Sequence, residues 1–177
     1  MSKKLKKKDN NLDRVYILGT VGSGKTFLSK KLSNLLKIKH YDLDDLFWEK
    51  KHSKMRSEKE RRKLFDKIYK KRKWIIEGVY ASWIDEGIKR ADTVIILDIN
   101  VRKLLWRITR RSIIRKKSKE NQSLNSYFGL IKSVLRYKNK NHLTGYYKHK
   151  EMIKKHKVNF IIIKNEKQIN DFLKKIK

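Results

Sequence analysis

Apolar positions along the chain fall into short continuous runs that alternate with spaced stripes. Residues 14–18, 38–41, 74–78, 93–97 and 158–163 are β-branched or aromatic runs of strand length, several of them ended by an acid or a glycine. Between them the spacing turns helical. Leu28, Leu32, Leu35 and Leu36 recur at i, i+4, i+7 and i+8, and Leu64, Phe65, Ile68 and Tyr69 form a second stripe. Residues 82–90 predict a short helix and 101–114 a long one. Residues 126–157 predict further helix, broken near Asn139-Lys140-Asn141 and at Gly145. Asn165 with Gln168 is the capping box of a last helix over 166–175. Residues 50–63 read as loop and then helix, and 116–125 as a polar loop. Five strands separated by helices predict an α/β fold: a five-stranded parallel sheet with helices on both faces.

One turn in this pattern carries chemistry. Gly19-Thr20-Val21-Gly22-Ser23-Gly24-Lys25-Thr26 reads G-x-x-x-x-G-K-T, between the first strand and the first helical stripe. Glycines let the backbone bend so that its N–H groups face phosphate oxygens, and the helix N-terminus adds a favourable dipole. The fold class is therefore a three-layer P-loop NTPase fold. Gly19, Gly22, Ser23, Gly24, Lys25, Thr26 and Phe27 are the expected nucleotide contacts. Lys25 reaches the β- and γ-phosphates, and the Thr26 hydroxyl is an expected Mg²⁺ ligand.

Composition narrows the setting. The chain of 177 residues suits one domain over 13–177, with residues 1–12 as a basic, disordered tail. It has no cysteine, which excludes disulfides and thiolate metal sites and fits a reducing cytoplasm. No apolar run approaches the ~20 residues of a membrane span, so no membrane partner is expected. The five histidines show no metal-ligand spacing. The formal charge is +31, from 49 Lys and Arg against 18 Asp and Glu. The lysines are spread along the whole length instead of forming one stripe, which predicts salt-dependent, non-specific adhesion to polyanions.

Acids cluster where open α/β sheets build their sites, past the C-terminal ends of strands. Asp42 and Asp44 follow the second strand and, in an extended segment, project to the same side. One can hold Mg²⁺ through water while the other meets an acceptor hydroxyl; the competing reading is helix capping, which Asp45 is expected to provide. Asp98 ends the run 93–98 in the Walker B pattern, where it either holds water around Mg²⁺ or begins the next helix. In the 101–114 helix, Arg107, Arg111 and Arg115 share one face, able to clamp a triphosphate or stack on a base, unless the face is simply solvated.

Together these blocks resemble the P-loop kinases of the adenylate kinase and shikimate kinase type, over about residues 14–176. The blocks are Gly19 to Thr26, Leu43-Asp-Asp-Leu-Phe-Trp48, Trp74-Ile-Ile-Glu-Gly-Val-Tyr80, Ala91 to Asp98, and Leu105-Trp-Arg-Ile-Thr-Arg-Arg111. More narrowly they are similar to bacterial DNA topology modulation proteins, the adenylate-kinase-related kinases. The resemblance implies a Mg²⁺-dependent, cytoplasmic phosphotransferase using ATP and a small-molecule acceptor, a nucleotide among the options. Asp42-Leu-Asp44 is similar to the D-x-D of shikimate kinases, so that Asp42 and Asp98 with Thr26 serve the metal and Asp44 the acceptor hydroxyl. Arg107 to Arg111 looks like the R-I-x-x-R of adenylate kinases, implying that Arg107 lies against the base and Arg111 meets phosphate. Glu77-Gly78 borders the acceptor pocket, and Arg56 stands where such kinases carry an acceptor-binding arginine. The chain has no S-G-R lid and no full acceptor-nucleotide signature. The alternative function is a nucleotide-switched, nucleic-acid-associated regulator.

Overall fold

The computed structural model describes residues 11–50, 54–117 and 124–176. Five strands form one parallel sheet: β1 (Arg14–Gly19), β2 (His40–Asp42), β5 (Trp74–Gly78), β6 (Thr93–Leu97) and β7 (Asn159–Ile163), in the order β2-β5-β1-β6-β7. The three central strands are the most continuously apolar stretches, and every residue of β5 and β6 is buried. The edge strands β2 and β7 keep exposed or half-buried positions. This grading is what helices on both faces impose, since an inner strand meets water on neither side.

Alternation along the strands feeds two cores. Tyr16, Leu18, Trp74, Ile76, Val94 and Ile96 point to one face. There they meet α3 (Glu58–Tyr69), α4 (Asp85–Arg90) and α7 (Tyr146–His156) through Phe65, Ile68, Ile88, Met152 and Ile153. Val15, Ile17, Ile75, Ile95 and Leu97 point to the other. Their partners are α1 (Lys25–Leu36), α5 (Val101–Lys117), α6 (Leu124–Tyr137) and α8 (Glu166–Lys174), through Leu28, Leu32, Leu104, Ile108, Val134 and Ile169. Gly87 shows how close the layers come. A Cβ there would lie 2.4 Å from Phe65 Cζ, so α4 can sit on α3 only without a side chain.

Several local expectations change. The run after the second strand holds α2 (Leu43–Phe47), followed by an antiparallel two-stranded hairpin, β3 (Trp48–Lys50) and β4 (Lys54–Met55). The cap of α2 is Asp42, whose carboxylate accepts from the Asp44 N–H at 2.9 Å; Asp45 is inside the helix. Residues 57–60 form an unanticipated capping box: Ser57 Oγ accepts from the Glu60 N–H, and the Glu60 carboxylate accepts from the Ser57 N–H at 2.9 Å. The helix expected over 82–90 begins only at Asp85. At α8, Asn165 accepts from the Gln168 N–H as expected, but the returning bond reaches the Lys164 N–H at 2.7 Å and not the cap itself. The long helical stretch near the C-terminus divides into α6 and α7 across Asn139 to Gly145, as its breakers predict. Helix α5 runs on to Lys117 in place of the polar loop, of which residues 118–123 lie outside the described residues. So do residues 1–10 of the basic tail and 51–53 of the charged run. Leu12, assigned to the tail, packs against the second core.

Candidate functional site

The G-x-x-x-x-G-K-T turn leaves β1 and enters α1. Gly22 (φ 74°) and Gly24 (φ 98°) sit in the left-handed region that a side chain would strain, and Gly24 is the cap of α1, with no side-chain oxygen over its N–H groups. The N-terminus of α1 is thus left open to an incoming anion. Ser23 Oγ is fully buried here and has no hydrogen-bond partner among the described residues. Lys25 folds back so that its Nζ donates to the Thr20 carbonyl at 3.2 Å. Burial holds its amine below the usual lysine range, Glu77, Asp44 and Asp42 oppose that shift, and Arg111 adds to it. A desolvated cation of this kind gains from an incoming polyanion, which favours its charged form.

The turn floors a cleft of about 590 Å³ lined by Val21 to Phe27, Asp44, Arg107, Arg111, Glu166, Ile169 and Asn170. A larger cavity of about 730 Å³ lies elsewhere, lined by residues that precede β1, β2 and β5, by the end of α1, and by β7 and α8, and contains no P-loop residue. We place the chemistry in the smaller cleft because there charge, open helix N–H groups and carboxylate converge.

Asp44 enters from α2, and a glycine decides how closely. A Cβ on Gly78 would come within 2.7 Å of Leu43 Cδ1, so Gly78 lets α2 lie down over the end of β5. Asp44 Oδ1 then accepts from the Tyr80 hydroxyl at 2.9 Å. Asp42 does not line the cleft beside it. Its side chain caps α2, and burial, with Glu77, Asp44 and Asp45 nearby, raises its pKa, although the Asp44 N–H opposes this. Glu77, only 1% exposed, accepts from Ser29 Oγ at 3.3 Å and meets His40 Nε2 at 3.2 Å, within electrostatic reach of Lys25. Asp98 is placed away from this group. It ion-pairs with Lys138, just past the end of α6, at 2.7 Å and does not line the cleft. The acids that act on Lys25 come from β2, α2 and β5, on one side of β1, whereas Asp98 follows β6 on the other.

Arg107 and Arg111 both reach the cleft from α5. Arg107 Nη1 donates to the carbonyls of Gly22 at 2.9 Å and Ser23 at 3.3 Å, while its Nη2 donates to Glu166 at 2.5 Å. The side chain of Arg115, one turn on, lies outside the described residues. Arg56 is not turned to the cleft. It donates to the carbonyls of Asp45 at 2.8 Å, Leu46 at 3.2 Å and Trp48, closing the C-terminus of α2. Arg61 was hidden in a dense charge run. Its guanidinium lies 4.6 Å over the Phe47 ring and 5.9 Å from Trp83, with a buried Nε that has no hydrogen-bond partner among the described residues. Phe47 in turn stacks on Tyr80 at 4.7 Å and 19°. Sequence reasoning had no role for Tyr80, Arg61 or Glu166. Tyr80 stood inside a recognised block, while Arg61 and Glu166 looked like ordinary helix charges.

A family profile described as an AAA domain matches residues 15–127, from β1 past the arginine helix. The chain belongs to this family. A Bacillus subtilis (strain 168) relative, the uncharacterized protein YqaC, is 36% identical over 98 residues, or 52% of this chain and 55% of its own. The chain thus spans about half the length of the curated relative it matches. Among solved structures it is similar to shikimate kinase from Acinetobacter baumannii in complex with shikimate, with TM-score 0.58 and 18% identity over 94% of this chain and 92% of that one. It is also similar to a gluconokinase from Sinorhizobium meliloti 1021, with TM-score 0.55 and 9% identity over 93% and 89%. At such identities the likeness shows the shared fold, the parallel sheet with its P-loop. No helix among the described residues is long and apolar enough to cross a membrane.

Proposed function

We propose that this AAA-domain chain is a phosphotransferase that moves the γ-phosphoryl group of ATP to a hydroxyl of a small acceptor. The observation that carries the reading is Asp44, a carboxylate in the same cleft as Lys25 and fixed by Tyr80. In the step, the acceptor hydroxyl gives its proton to Asp44 and its oxygen bonds to the γ-phosphorus. The bond from that phosphorus to the bridging oxygen breaks, and ADP leaves with the electron pair. Backbone N–H groups of residues 22–26 hold the β-phosphate, Lys25 follows the charge onto the transferred group, and Arg107 and Arg111 lie over the donor. Protein catalysis of such a transfer is mainly positioning and charge neutralisation.

The donor set fits magnesium of the kind that keeps most of its ligands as water and phosphate oxygen. Thr26 offers a hydroxyl, and Asp42 and Glu77 lie near enough to Lys25 to act on its charge, while no ready cage of three or more His, Asp or Glu exists among the described residues. Thr26, with Asp42 and Glu77 through water, would hold the ion, which when bound neutralises phosphate charge. Asp98 stays with Lys138 and is left out of this set.

On the acceptor side, Arg61 is a cation with no carboxylate partner among the described residues, held on aromatic faces next to the Tyr80–Asp44 pair. This favours an acceptor that carries an anionic group and a flat face, such as a nucleoside monophosphate or a cyclic acid. The test is ADP release from ATP with a panel of hydroxyl acceptors, anionic and neutral, beside a Lys25→Met variant checked for folding. Acceptor-dependent ADP release that is lost in Lys25→Met supports the proposal. Undiminished turnover in the folded variant overturns it.

A further inference from the structure

In the cleft, α5 and α8 meet on one carboxylate. Glu166, in the first turn of α8, has its Oε1 2.5 Å from Arg107 Nη2 and 3.2 Å from Lys103 Nζ, both on α5. The other end of the Arg107 guanidinium is tied to the P-loop by its bonds to the Gly22 and Ser23 carbonyls. A guanidinium is planar, so three bonds from two directions fix the orientation of its face as well as its place. Glu166 itself lines the cleft, together with Ile169 and Asn170 one turn further along α8. The two cations beside it hold the Glu166 carboxyl below the usual carboxylate range, so it is ionised wherever the protein is folded near neutral pH.

We propose that Glu166 is a positioning residue for the donor nucleotide: it holds the Arg107 plane as the surface on which the base stacks. This rests on the donor-site reading above and deepens it. Without Glu166, Arg107 keeps its P-loop carbonyls but can swing about them, and a base must then order a mobile side chain at its own cost. The phosphates are insensitive to this, since Lys25 and the open N–H groups of α1 bind them independently of the guanidinium's plane. Lys103 contributes charge to the same carboxylate but makes no contact with the P-loop carbonyls, so its loss matters less.

The experiment compares binding of ATP and of inorganic tripolyphosphate by calorimetry, for the wild type, Glu166→Gln, Arg107→Lys and the double variant. Thermal melts confirm folding. Glu166→Gln is expected to weaken ATP by ~5-fold while leaving tripolyphosphate within about twofold, the scale of one exposed cation–aromatic contact. In the Arg107→Lys background the same change should add nothing, because the plane it positions is already gone. Equal losses for ATP and tripolyphosphate, or losses that multiply in the double variant, overturn the assignment. The broader reading fails separately, on Lys25→Met: a folded variant that still binds tripolyphosphate as the wild type does would remove the P-loop site itself.

Discussion

At the scale of single residues, the site divides groups that look alike in the chain. Asp42 and Asp44 differ by two positions, yet one caps α2 outside the cleft lining and the other lines the cleft with Lys25. Asp44→Asn should lower turnover by ~10²-fold or more with ATP affinity nearly unchanged, since a carboxamide cannot take the hydroxyl proton. Steady-state kinetics beside equilibrium ATP binding checks this, and a collapse of ATP affinity would move Asp44 to the donor side. Arg56 and Arg61 divide in the same way. Arg56→Ala removes the bonds that close α2 and should cost about 1 kcal/mol in a denaturant melt. Arg61→Lys should leave the melt in place and raise the KM for the acceptor, because an ammonium cannot reproduce a guanidinium lying flat on Phe47. If instead the two effects are exchanged, the acceptor side has been placed wrongly.

At the scale of elements, a buried histidine joins three parts of the structure. His149 of α7 is fully buried. Its Nδ1 accepts from the Tyr137 hydroxyl of α6 at 3.1 Å, and its Nε2–H donates to the Val79 carbonyl just past β5 at 3.0 Å. Burial lowers its pKa from 6.5 to about 4; the Val79 and Tyr80 backbone opposes this, and Lys25 adds to it. The unfolded chain therefore binds a proton that the folded one refuses between these values. The stability is complete above about pH 6.5 and is lost as pH falls towards 4, by about 3 kcal/mol in all. Melting temperatures across that interval should fall with acidification. His149→Gln, though less stable at pH 7, should show a flatter profile. A wild-type profile without this fall would mean that the imidazole is not held neutral.

At the scale of the whole molecule, 18 acidic side chains leave most of the 49 basic ones without a carboxylate to meet. Many of the carboxylates are already taken in pairs such as Arg14–Asp92 at 2.6 Å and Lys155–Asp85 at 2.9 Å. The uncompensated charge is spread over the surface, so DNA and RNA should bind without regard to sequence. The affinity should drop by more than about tenfold between roughly 50 and 200 mM salt. A filter-binding titration against two unrelated duplexes checks it. Sequence preference that survives high salt would favour the regulator over the kinase.

Much of this molecule was determined by sequence alone. The P-loop, the five strands and the order of their helices are local patterns: a glycine turn, a run of β-branched residues, a stripe at helical spacing. Each is set by interactions within a few positions, and the parallel alternation follows from them. The arginine pair of α5 was legible too, because residues four apart must share a face. Tertiary structure decided the partners. Which strand-end acid acts on Lys25 depended on whether β5 or β6 carries it, and Glu77 and Asp98 look the same at a strand end. Where Arg56 and Arg61 end up depended on the hairpin β3–β4 bringing Arg56 back onto α2, and on the aromatic faces gathered around Arg61. Glu166 meets Arg107 across 59 positions of chain. Nothing local marks such a meeting, because the energy of a long-range contact exists only once the sheet has closed the distance.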